Sequence, residues 1–475
     1  MKKFKYIIFT FDGGGCSIAK KLIDEGRETF LVQIQDSKDM PKGSWMNEDE
    51  SPEKKKRRLS IYDGIIEKYT DAEMLKSMKS IENKEDYFVF FDFNSLYEFA
   101  EKCLDMGFTN GIFPLEKDYE LEQDRQLGKD IAKKNLKGIR VDEVFNFKKV
   151  KDGIDFLNEH ADKIFALKSD GNNANTIVPL TNNPEFAKKE LIIQLMDDQK
   201  DYEKGGFTFE EKIMDIIEVC PQICFYNGKP IYTEIEMETR LIGSGDIGFQ
   251  TGGNQNIVMQ TKFSDKINKI AFPPFVFEEA KKRKGIYLKD CGMLFDKKGI
   301  PHFSEFAGNR YSWGGVFSEL SMAQCKKGCV SEYFETLASG KNPYKYKFGS
   351  TIGIYNLEPD GKYPDLSKQD IPVQWEKSVE PRFFPYQVRI DDKKNKETEE
   401  NEPIVVNVGT RDILNSYYTG FGNSLVEAAN MAYGFANKVS FNGMYYRPKF
   451  DMLSTEYVSS IPNRIKFLKN HRLIS

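Results

Sequence analysis

Histidine is nearly absent: His160, His302 and His471 are the three in 475 residues, so an imidazole general base is a poor centre for any mechanism. Zinc would lack its commonest nitrogen ligand, and Cys220-x-x-x-Cys224 and Cys325-x-x-x-Cys329 are at most half-sites. Seven cysteines, an odd and scattered number, exclude a disulfide framework and imply reduced thiols. No apolar run approaches the ~18 residues that span a bilayer. The opening MKKFKYIIFTFDGGG reads as a first strand and not as a secretory leader, so the cytoplasm is the expected compartment and no membrane partner is expected. Charge of one sign is also missing. With 69 Lys+Arg against 73 Asp+Glu the net charge is −4, which gives no global footprint for nucleic acid, although a local basic groove is not excluded.

What is present is long enough for about three domains of roughly 100 to 200 residues each. Lys5 to Thr10 is β-rich and leads through Gly13, Gly14 and Gly15 into an amphipathic helix and a second strand, Phe30 to Ile34. This βαβ unit lets the glycine backbone approach an anion at the helix N-terminus, or else is a tight turn with no ligand; it is not the dinucleotide fingerprint. Ser51 to Leu59, SPEKKKRRL, reads as a solvated charge run. Glu85 to Phe93 is a strand, Leu96 to Met106 a helix and Gly111 to Pro114 a short strand; Asp118 to Asn135 is a helix.

Ile164 to Ser169 is a strand whose alternation sets Lys168 apart, either to hold phosphates or to guard a sheet edge. Glu210 and Glu211 head a segment where carboxylates suit ribose hydroxyls or plain solvent. Glu218 to Phe225 and Lys229 to Glu236 form a hairpin across Asn227-Gly228. Gly243 to Asn256 is too poor in apolar side chains for the core and reads as a loop. Ile286 to Phe295 and Ile300 to Phe306 pair across Asp296-Lys297-Lys298-Gly299, and the second strand delivers Glu305, Asn309 and Arg310. Hard oxygens beside a guanidinium suit a magnesium-bound polyphosphate. Beyond Phe334, Ala338 to Lys347 and Leu357 to Gln369 look like borders, and Asp391 to Glu402 is a polar insertion, read as a solvated hairpin loop. Ile404 to Val408, a helix from Ser424 to Val439 and FNGMYYRP make a compact α+β end.

Taken in order, these segments resemble the phosphoribosylamine-glycine ligases of the ATP-grasp superfamily. DGGGCSIA resembles the opening G-x-G-G-R-E-H-A, DRQLGKDIAKK the S-K-x-F-A-K helix, ALKSDG the V-I-K-A-D-G strand and FEEKIMDIIEV the hinge E-E-F-L-x-G-E-E. TRLIGSGDIGFQTGGN is similar to K-R-x-x-D-x-D-x-G-P-N-T-G-G-M-G, and the Gly285 to Arg310 hairpin to a strand pair ending E-F-N-x-R. TGFGNSLVEAANMAYGFANKVSFNGMYYRPKFD matches the C-terminal pattern. The ATP half of the pattern is better kept than the substrate half, but it too departs. Arg-Glu-His after the glycines is missing, F-G-D-P-E has become YSWGG, and L-A-A-G-K-G after the strand lysine has become NNANTIV. E-x-N-x-R has become E-x-x-x-N-R, so that either a bulge brings Asn309 to the metal or Ala307 stands at the asparagine position.

The resemblance implies a multidomain α/β and α+β chain with the ATP-grasp fold: a Rossmann-like pre-ATP-grasp domain over 1–117, an ATP-grasp domain over 118–337 with a lid at about 152–202, and a small α+β domain over 338–475 carrying the insertion at about 391–402. It implies ATP and Mg²⁺ or Mn²⁺ as cofactors. Arg125, Lys168, Glu210, Glu211 and Glu218 would bind the nucleotide, and Glu305 with Asn309 the metal. Arg310, Asp246 and Arg240 would serve catalysis, while Gly13, Gly14, Gly15, Ser17, Thr251, Gly252 and Gly253 would line the substrate end. The implied activity joins a small-molecule carboxylate to an amine through an acyl phosphate. The pair is either altered, an amino acid with a phosphoribosyl or nucleotide-like amine, or glycine with phosphoribosylamine as in purine biosynthesis. A non-catalytic nucleotide-binding regulator of the same fold is the other alternative, and either a monomer or a homodimer is expected.

Overall fold

The computed structural model describes residues 2–41, 50–169, 176–179, 181–213, 216–308, 314–323, 330–357, 370–394, 401–409, 414–457 and 460–475. The N-terminal part of the chain forms a parallel sheet in which Lys5–Thr10 lies between Thr29–Gln33 and Tyr87–Phe91; Lys68–Thr70 and Gly111–Ile112 flank them. Its strands are continuous apolar runs because helices cover both faces. Ile112 then pairs in parallel with Ile286, and through that contact the sheet runs on into an antiparallel half. There Ile286–Phe295 is followed by Ile217–Tyr226, Lys229–Gly243, Ile247–Thr261, Phe348–Asn356, Leu414–Gly422 and Phe383–Pro385. With Pro301–Ala307 paired to Ile286–Phe295 and Met444–Tyr445 paired to Phe348–Asn356, fourteen described strands belong to one sheet. Strands drawn from 338–475 thus extend the central sheet. Others from the same region, including Val388–Lys394 and Asn401–Asn407 that bracket the polar insertion, form a separate four-stranded sheet.

A third sheet stands apart, with Phe207–Glu211 between Val144–Phe147 and Phe165–Ser169. Helices Val150–Glu159, Pro184–Asp197 and Gln199–Gly205 close over it around Leu157, Phe165, Leu191, Tyr202, Phe207 and Phe209. Gly153 is required there, since a Cβ would stand 2.7 Å from the Phe207 ring. No described helix is long and apolar enough to cross a membrane. Cys16, Cys103, Cys220, Cys224 and Cys291 are free thiols, whereas Cys325 and Cys329 lie outside the described residues.

Both predicted hairpins form. Asn227 and Gly228 take φ of 46° and 78° in the first, and Gly299 takes 79° in the second. Three expectations are corrected. SPEKKKRRL is a helix, Pro52–Leu59, capped by Ser51 Oγ, and its Arg58 is only 2% exposed. The guanidinium escapes solvent because the carbonyls of Phe11, Ile34 and Gln35 and the Glu50 carboxylate accept its N–H groups. Gly243 to Asn256 is not a loop outside the core: it is the tip and second strand of a long hairpin. Asn254, Gln255 and Asn256 are buried, and the Asn254 amide donates to the Leu241 and Ile242 carbonyls, so hydrogen bonding replaces apolar packing. Asp118 to Asn135 breaks into Glu116–Gln123 and Arg125–Asn135, where Asp124 Oδ1 caps the second helix at Leu127 N.

A buried acid cluster lies beneath the helix Gly314–Ala323. Tyr232 and Tyr333 donate to Glu319 Oε2 at 3.1 and 2.6 Å, and Glu234 and Tyr344 face the same group. Burial pushes the Glu319 carboxyl up to about 7, and burial followed by the charge of Glu319 raises Glu234 well above the usual range. Between the unfolded value of 4.5 and about 7 the folded chain keeps a proton that the unfolded chain has lost, so stability falls as pH rises through that window. The loss attributable to Glu319 is about 3 kcal/mol at most. Thermal unfolding is therefore expected at a lower temperature at pH 8 than at pH 5, with Glu319→Gln flattening the difference; parallel profiles for the two proteins would contradict this assignment.

Candidate active site

Residues two apart along a strand share a face, so Glu234, Glu236, Glu238 and Arg240 project from one side of Lys229–Gly243. Neighbouring strands add Glu218 and Asp290, and Glu305 comes from Pro301–Ala307. Glu218, Glu236, Glu238, Arg240, Asp290 and Glu305 line a small cavity of ≈ 50 Å³. Gly292, opposite Glu305 beside a bulge in the ladder, also lines it. Arg240 Nε donates to Glu238 Oε2 at 3.0 Å and its NH2 lies 3.6 Å from Glu218 Oε1. Glu218 and then Glu238 raise the Arg240 pKa further, so the guanidinium is a fixed positive charge among acids. From the helix Ile461–Asn470, buried Arg464 donates to the Glu218 carbonyl at 3.0 Å; burial lowers its pKa, opposed by Glu218, Asp246 and Glu238.

Arg125 and Lys129 are four apart on one helix, so they share a face. Arg125 NH1 reaches Glu305 Oε2 of the central sheet at 3.3 Å, and Lys129 Nζ reaches Glu210 Oε2 of the third sheet at 2.9 Å. Lys168 Nζ holds the other oxygen of Glu210 at 3.0 Å. Burial alone would raise the Glu210 pKa, but Lys168 and Lys129 pull it down to about 2. Glu211, the next residue on the strand, points outward and is exposed, paired with Lys163 at 2.8 Å.

Asp246 takes a left-handed φ of 57° at the tip of the long hairpin, where Arg447 NH2 holds its Oδ1 at 2.7 Å. Thr251 Oγ1 donates to the Arg240 carbonyl at 2.7 Å and accepts from Gly253 N at 3.4 Å, which ties Thr251, Gly252 and Gly253 to the strand bearing Arg240. The N-terminal glycines are not brought to this cavity. Their amides already have acceptors: Gly13 N donates to Thr10 Oγ1, Gly14 N to Asp12 Oδ1 and Gly15 N to Asp92 Oδ2, and Ser17 is buried. Burial, then the charge of Asp12, raises Asp92 well above the carboxylate range. Asn309 and Arg310 lie outside the described residues.

Sequence reasoning missed Lys129, Glu236, Glu238, Asp290, Arg447 and Arg464. The alternation E-I-E-M-E-T-R over 234–240 was a usable signal for the acids, whereas nothing local marks either arginine. Among the described residues no three His, Cys, Asp or Glu side chains stand close enough to hold a metal ion. The donor chemistry nonetheless suits magnesium or manganese, because Glu305, Asp290 and Glu238 offer hard oxygens. The cations Arg125, Lys168 and Lys129 suit a polyphosphate.

No protein-family model and no curated protein matches the sequence. Solved structures do match the fold. The phosphoribosylamine-glycine ligase of Thermotoga maritima superposes with a TM-score of 0.60 at 17% identity, over 93% of this chain and 99% of that one. The biotin carboxylase domain of the Hydrogenobacter thermophilus 2-oxoglutarate carboxylase, solved with MgADP, ADP and bicarbonate, gives 0.56 at 13% identity over 94% and 92%. Campylobacter jejuni biotin carboxylase, described as a β,γ-ATP complex, gives 0.52 at 12% over 93% of each chain. At such identities the likeness carries the fold and nothing finer. The chain has the ATP-grasp fold of these ligases and carboxylases, in a form far diverged in sequence.

Proposed function

We propose that the protein is an ATP- and magnesium-dependent ligase that joins a carboxylate to an amine and releases ADP and phosphate. The observation that carries this is the helix Arg125–Asn135, one face of which ties the carboxylate cavity, through Arg125 and Glu305, to the third sheet, through Lys129 and Glu210. A phosphate chain lying along that face would meet Arg125 and Lys168, with acids of the cavity at its end.

A carboxylate is a poor electrophile until one of its oxygens is phosphorylated. Its oxygen attacks the γ-phosphorus, the bond to the β-bridging oxygen breaks and ADP leaves; the amine nitrogen then attacks the acyl carbon, loses a proton and expels phosphate. Magnesium, when bound, neutralises phosphate oxygens and orients them. Glu305, with Asp290 beside it, would hold it. Arg125 and Lys168 would balance developing charge, and Arg240 is a cation at hand for the substrate acid. The third sheet would cover the acyl phosphate and exclude water.

The amides of Gly13 to Gly15 are taken by Thr10, Asp12 and Asp92, which favours an altered substrate pair over glycine with phosphoribosylamine, since a phosphate would have to displace these side chains from the amides. The test is ADP and phosphate release with magnesium-ATP across a panel of amino acids and amines, with glycine plus phosphoribosylamine as one arm and hydroxylamine as a trap for the acyl phosphate. Acid-dependent ADP release with a trapped hydroxamate is expected. ATP binding without turnover in every arm would overturn the ligase in favour of a regulatory nucleotide-binding protein.

A further inference from the structure

Glu210 is 9% exposed and accepts from two ammonium groups, and these differ in access. The Lys129 side chain is 2% exposed, and its Nζ also donates to the Asp142 carbonyl at 3.2 Å. Lys168, with 13% of its side chain exposed, stands nearer the rim. Burial lowers the Lys129 pKa, with the charge of Glu210 opposing that shift, while burial would raise the Glu210 pKa and Lys168 and Lys129 pull it down, so each of these two buried groups depends on the other.

Resting on the proposed function, in which Lys168 binds the nucleotide, we propose that Lys129 is a positioning residue that makes Lys168 transferable: it keeps Glu210 neutralised while Lys168 leaves that carboxylate for the polyphosphate. A buried carboxylate with one counter-ion cannot release it without becoming an unpaired buried charge, which is costly. With two counter-ions it can surrender one. Lys129 suits the role of the one that stays, because its side chain is the more deeply buried of the two and it has a second, neutral acceptor in the Asp142 carbonyl. On binding, Lys168 exchanges one anionic partner for another, and Glu210 never stands alone.

The experiment measures magnesium-ATP affinity calorimetrically on the full chain, for the wild type, Lys129→Met, Glu210→Gln, Lys129→Met/Glu210→Gln and Lys129→Arg. Lys129→Met is expected to weaken binding about tenfold, because Glu210 then grips Lys168 as its last partner. Glu210→Gln removes the competitor, so the single variant is expected to bind at least as tightly as wild type and the double variant to recover to within about threefold. Lys129→Arg is expected to stay near wild type. A purely structural role for Lys129 predicts a double variant no better than Lys129→Met, and that result would overturn the proposal. If Lys129→Met does not fold, Glu210→Gln still decides, since a tenfold loss there contradicts the idea. A wild type that binds no ATP would remove the functional reading itself; a wild type that binds, with unresponsive variants, removes only this inference.

Discussion

Glu305→Gln is expected to lower the ADP-forming rate by about 10²- to 10³-fold at saturating magnesium-ATP, the order seen when one preorganised group that stabilises transition-state charge is removed. The substitution keeps size and shape and removes only the charge. Arg125 NH1 lies 3.3 Å from this carboxylate and the Glu305 side chain is 34% exposed, so thermal stability should stay within about 1 kcal/mol of wild type. Loss of turnover with the unfolding midpoint unchanged would assign Glu305 to the chemistry. Full activity in Glu305→Gln would move the metal to other acids of the cavity, Asp290 and Glu238 first. An excess of magnesium that restores part of the rate would further tie the carboxylate to the cation and not to Arg125.

Arg447→Met is expected to destabilise the fold by about 3 to 5 kcal/mol, the cost of breaking a buried ion pair on one side. Arg447 is 2% exposed. Its Nε holds Asp451 Oδ2 at 3.0 Å, NH1 the Leu241 carbonyl at 2.9 Å and NH2 Asp246 Oδ1 at 2.7 Å. Methionine fills similar volume but leaves the Asp451 carboxylate, whose side chain is 0% exposed, with the Ser244 hydroxyl as its remaining described donor. Adding Asp451→Asn removes that orphan charge, so the double variant should regain part of the loss in urea unfolding. Simple additivity of the two losses would show that the pair does not act as a unit. The same substitution frees the hairpin tip at Asp246, whose left-handed backbone is held by this contact, so ADP formation should fall more steeply with temperature than in the wild type.

Much of the candidate site's framework was legible in the chain because its elements are local. The strand Lys5–Thr10, the two tight hairpins and the alternation around Lys168 follow from apolar periodicity and turn chemistry within about ten residues. Lys168, Glu210 and Glu305 were read from such segments and Arg125 from the family resemblance, and the structure brings all four beside one helix face. Charge defeated the same method. The run SPEKKKRRL was assigned to solvent although Arg58 is buried, because a sequence shows the cost of burying a guanidinium and conceals the carbonyls that offset it. Asn254, Gln255 and Asn256 were excluded from the core for the same reason.

By itself, then, the sequence determined several strands, among them Lys5–Thr10 and Phe165–Ser169, and the two tight turns, since backbone sterics and hydrophobic alternation act between near neighbours. Only the tertiary structure decided that Ile112 meets Ile286 and fuses the parallel and antiparallel halves into one sheet, that Arg447 and Arg464 return from the C-terminal segment to the acids, and that Asp12 and Asp92 occupy the glycine amides. These are pairings between groups up to hundreds of residues apart. Every buried donor needs an acceptor and every buried charge a counter-charge, but which one it finds depends on what the folded chain brings within about 3 Å, and no local pattern encodes that.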